Sequence, residues 1–305
     1  MRFPGSPYSL REFIGMAWRR FSPPPPWGDA PVARHLDLHP GRAPDRWVGF
    51  VGDLCPLNGR AARYAPAVHD FFAGCDLIVG NFEGVLTEQR GRPFRLKHTP
   101  RIFEAMARLK PLRQWIVSVA NNHAADFGLP ALRATTAHLD RRDVRWLGTR
   151  ERPTLTAPDA GLALAAWTWW SNRKTTALLR RDLGAPEARS GLVRVALPHW
   201  GYEHERRPRS NQRHRLPLNY ELVAGHHSHL PQPLEEGAGG PLVAWSLGNF
   251  LTAKTLPVLG EGALLKVGLA HSSGEPPAVV EARYRAVLLD RTDPACCRVH
   301  PRPEA

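Results

Sequence analysis

Trp47-Val-Gly-Phe-Val-Gly-Asp53 is the stretch whose reading decides the fold. A short apolar run that stops at Gly-Asp suits a strand covered on both faces and closed by a turn. The same pattern recurs downstream. Asp76-Leu-Ile-Val-Gly80 leads into Asn81-Phe82-Glu83, and Trp115-Ile-Val-Ser-Val-Ala120 into Asn121-Asn122-His123. Leu192-Val-Arg-Val-Ala-Leu197 leads into His199-Trp200-Gly201, and Leu222-Val-Ala224 into Gly225-His226-His227-Ser228-His229. Gly-Asp or Asn-Glu alone is an ordinary turn or cap. Five such clusters in order, built from Asp, Glu, Asn and His, point to one shared centre, because α/β sheets gather ligands at the carboxyl ends of their strands. Carboxylate, imidazole and amide oxygen suit Mn, Fe, Zn or Co, and the chemistry expected is a site of two divalent metal ions that activates water.

Around these runs the sequence predicts strands alternating with helices, then mostly strands: an α/β fold with a mixed sheet or two packed sheets. Helical spacing covers residues 60–72, 101–109 and 125–142, with Leu129, Leu132, Thr136 and Leu139 on one face of the last. Residues 242–245 lead into Ser246-Leu-Gly-Asn-Phe250, a tight turn in which Asn249 is expected to hold a ligand-bearing loop. Residues 263–269 and 278–289 read as β segments that close a sheet. Residues 1–45 read as an N-terminal extension with the stiff connector Ser22-Pro-Pro-Pro-Pro-Trp27, residues 46–290 as the main domain and 291–305 as a flexible tail.

Bulk composition narrows the class. The 305 residues, 43% of them hydrophobic, suffice for a sizeable core. The net charge of +13 comes mostly from Arg; compositional bias toward Arg, Pro and Ala explains most of it, and the basic field would still attract an anionic small molecule or polymer as substrate, or an acidic lipid surface. No aromatic-basic stacking platform is visible, so no nucleic acid is expected as partner. Four cysteines without a C-x-x-C pair exclude zinc-ribbon and thioredoxin readings and make a reducing compartment the default. Neither a signal peptide nor a transmembrane run is read, so a cytoplasmic location is expected. Residues 10–21 form a basic amphipathic helix that either packs on its own domain or lies on a membrane surface.

The clusters carry detail. His227 and His229 are expected to project to one side of an extended segment, because strand side chains alternate; His226 then points away. Asp126 lies three residues after His123 and has two readings, an N-cap of the next helix and a carboxylate that orients the His123 imidazole. Arg206, Arg207, Arg209, Arg213 and Arg215 either hold an anionic substrate or make a solvated charged loop.

The ordered set Gly52-Asp53, Asn81-Phe-Glu83-Gly, Asn121-Asn-His123-x-x-Asp126-x-Gly128, His199-Trp-Gly-x-Glu203 with Gln212, Gly225-x-His227-x-His229 and Ser246-Leu-Gly-Asn-Phe250 resembles the CapA-like family. That family is named for a capsule biosynthesis protein of poly-γ-glutamate synthesis and belongs to the metallo-dependent phosphatase superfamily. The resemblance covers residues 47–290. It implies a four-layer α-β-β-α sandwich with a dinuclear metal centre at one edge. It implies that Asp53 and His229 bind one metal, Asn122, His199 and His227 the other, and that Glu83 bridges them. His123 then matches the histidine that protonates the leaving oxygen, with Asp126 holding it. Asn81, Glu203, Arg206 and Arg207 fall on the substrate side. Cys55 stands where the wider superfamily carries a histidine, and either packs or binds as a thiolate. The function so implied is a phosphoesterase acting on an anionic substrate, linked to capsule synthesis and its membrane-associated machinery. The alternative is a non-catalytic accessory protein with a structural or polymer-binding metal site.

Overall fold

The structure, a computed structural model, describes residues 6–21, 32–182, 184, 191–237, 239–271 and 275–303. The proline connector at 22–27 lies outside the described residues. Two mixed sheets face each other. The larger runs in the order 61–64, 296–301, 278–290, 261–270, 46–54, 77–82, 115–118, 145–147, with Ala33–Asp37 added along 278–290 and Asn249–Leu251 along 46–54. The smaller has the order 234–236, 242–244, 222–224, 193–199, 162–168, 154–157. Its four central strands are parallel, as are 46–54, 77–82, 115–118 and 145–147 of the larger sheet. Parallel strands buried on both faces need continuous apolar sequence, which is why these runs could be read directly.

The inter-sheet core interleaves Phe50, Val79, Ile116 and Leu265 with Leu164, Val195, Leu197 and Leu222. On the outer face of the larger sheet, Ile78, Val117 and Leu264 pack against Phe103 and Met106 of the helix Arg101–Leu109 and Leu132 and Leu139 of the helix Leu129–Asp140. The expected α/β sandwich is therefore present. Its outer layer on the smaller sheet is thin among the described residues: one turn of helix, Ser210–Arg213, plus loops over Trp167, Trp200, Tyr220 and Trp245.

Four expectations need correction. Residues 60–72 are not one helix: Ala61–Tyr64 is a strand paired with Cys296–Val299, and the helix is Pro66–Phe71. Pro66 disfavours helical backbone at Ala65, so the helix starts at the proline. The helix expected from residue 125 begins at Leu129, because Gly128 adopts φ +84° immediately before it. The presumed tail holds a strand, Cys296–Pro301, which buries Cys297 and Val299 and pairs on both sides. The presumed extension also adds a strand to the main domain, Ala33–Asp37 paired with 278–290, while Leu10–Phe21 is the helix read from the sequence.

That helix packs on its own domain along one side. Glu12 receives two hydrogen bonds from Arg209, and Arg19 Nε donates to the Glu203 carbonyl at 3.1 Å. Leu10, Ile14, Trp18 and Phe21, spaced 4, 4 and 3 residues apart, form an exposed stripe on its other side. No helix among the described residues is long and apolar enough to cross a membrane.

Candidate metal centre

Five strand ends converge. Asp53 closes 46–54, Asn81 and Phe82 close 77–82 with Glu83 next, and Asn121–His123 follow 115–118 by a short turn. His199 ends 193–199, and His226–His229 follow 222–224. The first three come from the larger sheet and the last two from the smaller, so the site sits where the carboxyl edges of both sheets meet.

The side chains form one buried network. Asn81 Nδ2 donates to Asp53 Oδ1 at 2.8 Å and approaches His199 Nδ1 at 3.2 Å. His199 Nε2 lies 2.9 Å from Asn122 Oδ1. His229 Nδ1 sits 3.1 Å from Asp53 Oδ2, 3.7 Å from Glu83 Oε2 and 3.1 Å from Asn249 Oδ1. The His199 and His227 ring centres are 4.5 Å apart. Cys55 Sγ donates to Glu83 Oε2 at 3.4 Å, and Cys55, Glu83 and His229 offer ligand atoms that all lie within 4.8 Å of one another. Cys55 thus belongs to the cluster itself. Asn249 holds the His229 loop as expected, and its own amide is fixed by the Leu259 carbonyl at 3.1 Å.

Charge in so dry a place is costly. Burial, reinforced by the Asp53 carboxylate, raises Glu83 to about 7. Burial alone would depress the His229 imidazole, yet Glu83 and Asp53 beside it raise it to about 9. His227 is held down to about 3, first by burial. Burial by itself would raise Glu203, but His229, His227 and His204 around it bring it to about 2.

Among the described residues, Glu83 Oε1 and His227 Nδ1 are buried without a hydrogen-bond partner, and Asp53 Oδ2 has only the His229 imidazole, at 3.1 Å, beside it. Buried polar atoms are seldom left so, and two on neighbouring Glu and His side chains, beside the Asp53 carboxylate, fit divalent cations. The residues that would hold them are Asp53, Cys55, Glu83, Asn122, His199, His227 and His229.

The His-x-His pair reaches the centre by a route the sequence does not reveal. The backbone is not extended there: His227 has φ +97° and His229 φ +59°. Left-handed backbone at a non-glycine residue costs on the order of 1–3 kcal/mol and persists only where the surroundings impose it. Both rings face the centre through this coil and not through strand alternation. His226 bonds the Val51 carbonyl at 3.3 Å and stands outside the network of ligands.

His123 lies at the rim, where it lines a cavity of about 500 Å³. Its Nδ1 donates to Asp126 Oδ2 at 2.6 Å, while Nε2 is 3.9 Å from Glu83 Oε1. Asp126 does not cap a helix. Its oxygens are taken by His123, by the Leu96 N–H at 2.8 Å and by Asn172 Nδ2 at 3.3 Å.

The substrate-side assignments fare differently. Glu203 lines the cavity, with Arg20, Arg95, Lys97 and Lys254 along the same wall. Asn81 is buried among the candidate ligands and bonds Asp53 and His199. Arg206 is buried in a bidentate pair with Glu261 at 2.6 and 2.9 Å, and Arg207 is exposed away from the cavity lining. Arg209 and Arg213 are likewise held by Glu12, Glu205 and Glu235. Arg206, Arg209 and Arg213 brace the loop after His199, each through a carboxylate, while Arg215 lies over the Trp169 ring. Arg206→Met is expected to cost about 3–5 kcal/mol by leaving Glu261 buried and bare, whereas the double change with Glu261→Leu recovers most of it. Urea unfolding of both variants checks this, and a single change worth under about 1 kcal/mol would exclude a structural pair.

Two contributors escape sequence reading. Asn172, in the loop after the strand Leu162–Thr168, bonds both Asp126 and Asn122. Tyr8, from the N-terminal segment, places its hydroxyl 2.6 Å from His227 Nε2. Neither sits in a ligand-like cluster, so no local pattern marks them.

Fold and site together define an α/β sandwich of two packed mixed sheets, with its candidate ligands at the shared sheet edge. The chain belongs to the family described as bacterial capsule synthesis protein PGA_cap, whose profile matches residues 48–254. It is 24% identical over 241 residues to the PGA biosynthesis protein CapA of Bacillus subtilis (strain 168), covering 67% of this chain and 62% of that one. It is 23% identical over 215 residues to the capsule biosynthesis protein CapA of Bacillus anthracis, covering 60% and 52%. The chain therefore spans between half and two thirds of these relatives. Among solved structures it is similar to the calcineurin-like phosphoesterase YfkN from Bacillus subtilis, with TM-score 0.44 and 13% identity over 79% of this chain and 90% of that one.

Proposed function

We propose that this chain is a dinuclear-metal hydrolase, a phosphoesterase acting on an anionic substrate and serving the synthesis of an anionic capsule polymer. The observation that carries this reading is the pair of unpartnered buried atoms Glu83 Oε1 and His227 Nδ1, next to the Asp53 carboxylate and beside a cavity lined by His123, which Asp126 holds. Divalent cations bound at such groups supply Lewis acidity to water and to a phosphoryl oxygen. The chain supplies the remainder. Asp126 fixes the His123 ring through Nδ1–H, so that the doubly protonated imidazolium carries at Nε2 the proton that it hands to the leaving oxygen, ending as the neutral Nδ1–H form. Lys254, Arg95 and Arg20 set positive charge around the cavity, where a phosphate ester would bring negative charge.

A second reading, a non-catalytic accessory protein whose metal site binds polymer carboxylates, is favoured by the capsule proteins among its relatives. Metal analysis of the purified chain, with hydrolysis of aryl phosphate mono- and diesters in Mn²⁺, separates the two. About two metals per chain with turnover is the result expected from a two-metal site. Metal without turnover on any ester favours the accessory role, and no metal uptake sinks both.

A further inference from the structure

Tyr8 is 1% exposed although it lies near the start of the chain, in a segment that the family match at 48–254 does not include. Its hydroxyl oxygen lies 2.6 Å from His227 Nε2 and also accepts the Glu203 N–H at 3.3 Å. The ring stands edge-on to Trp170 with centres 4.9 Å apart and stacks on Tyr202. The helix that follows is tied to the same loop by Glu12 to Arg209 and by Arg19 to the Glu203 carbonyl. Tyr8 is thus held from both sides at the edge of the candidate centre.

The proton on His227 decides what this contact does. If it sat on Nδ1, a buried N–H would be left with no acceptor, since Nδ1 has no partner in the structure. If it sits on Nε2, it donates to the Tyr8 oxygen, the Tyr8 O–H becomes the donor left over, and Nδ1 keeps a free lone pair; a cation taking that lone pair would decide between the two forms. A histidine that binds a metal through one nitrogen is commonly held through the other, which fixes its tautomer and ring angle. The left-handed backbone at His227 makes such a hold useful, because nothing regular positions that ring.

We propose that Tyr8 is a positioning residue of the candidate metal centre: it accepts the His227 Nε2–H and thereby aims Nδ1 at a divalent cation. The inference rests on the metal reading given above. The N-terminal segment then completes the site as well as walling it, since Ser6, Pro7, Phe13, Met16 and Arg20 line the cavity beside His123.

Two measurements on the full chain test this. In ¹⁵N-histidine NMR of the wild-type protein, His227 should carry its proton on Nε2; protonation of Nδ1 alone overturns the assignment without any mutation. In calorimetric titration with Zn²⁺, Tyr8→Phe, which keeps the ring and its packing, should weaken binding by roughly 10–100-fold at one site. Unchanged affinity in Tyr8→Phe, with zinc bound normally by the wild type, overturns this assignment alone. Wild-type protein that takes up no zinc overturns this assignment and the metal reading together. A circular-dichroism melt of the variant identifies any loss that comes from unfolding, in which case the wild-type NMR result decides.

Discussion

Replacing His123 with alanine is expected to leave metal content unchanged while lowering turnover of a phosphate ester by roughly 10²–10⁴-fold, the range for one positioned general acid. The two halves of this expectation have separate grounds. Metal retention follows from geometry: the buried candidate ligands are Asp53, Glu83 and His227, and the His123 nitrogens are spoken for by Asp126 on one side and the cavity on the other. Loss of turnover follows from proton transfer, and it should depend on the leaving group. A nitrophenolate departs without a proton, whereas an alkoxide does not, so the deficit should widen from activated to unactivated esters. Comparing kcat for such a series in wild type and variant checks this. Equal losses across the series would move His123 from proton donor to substrate contact. Asp126→Asn should give a smaller loss of the same shape, because the ring would keep a hydrogen-bonding neighbour but lose the carboxylate that fixes Nδ1–H.

The second large effect has opposite signs in two assays. Glu83→Gln is expected to abolish tight metal binding, by more than the roughly 100-fold that outer partners alone can cost. In metal-free protein the same change should stabilise the fold. Glu83 is fully buried, and burial with Asp53 beside it lifts its carboxyl to about 7. An acid whose value rises on folding subtracts stability once the pH passes its unfolded value, roughly 4.3, and the full penalty is in place above the folded value. At pH 8 that penalty is on the order of 3 kcal/mol, and the glutamine escapes it. Below about pH 4 both side chains are neutral, and the two proteins should melt together. Calorimetric melting in EDTA at pH 4 and pH 8, with Mn²⁺ titration, tests the pair of claims. A metal-free variant that melts below wild type at pH 8 would show that Glu83 stabilises the fold through its neighbours.

Sequence made the ligand-bearing half of the site legible for a physical reason. Parallel strands buried on both faces demand uninterrupted apolar runs, so 47–52, 76–80, 115–120 and 222–224 stand out, and whatever follows each must lie on one edge. The His123–Asp126 contact was legible because three residues in a turn bring side chains together. What stayed hidden depends on distant partners. Cys296–Pro301 looks like a tail because its only apolar anchors are Cys296, Cys297 and Val299, and its pairing partners lie elsewhere in sequence. Arg206 looked like a ligand for anions because its carboxylate, Glu261, is 55 residues away. Tyr8 is more than 200 residues from His227, and a lone tyrosine carries no pattern at all.

The division of the cluster between two sheets has a consequence for assembly. Asp53, Glu83 and Asn122 ride on one layer and His199, His227 and His229 on the other, so no fragment that folds a single layer owns a complete coordination set. Cation capture would then come after the layers dock, and would clamp them together by mass action. Uptake of a coloured or paramagnetic ion during refolding would report the closing of the sandwich, and a chelator would loosen the seam between its halves before either half melts.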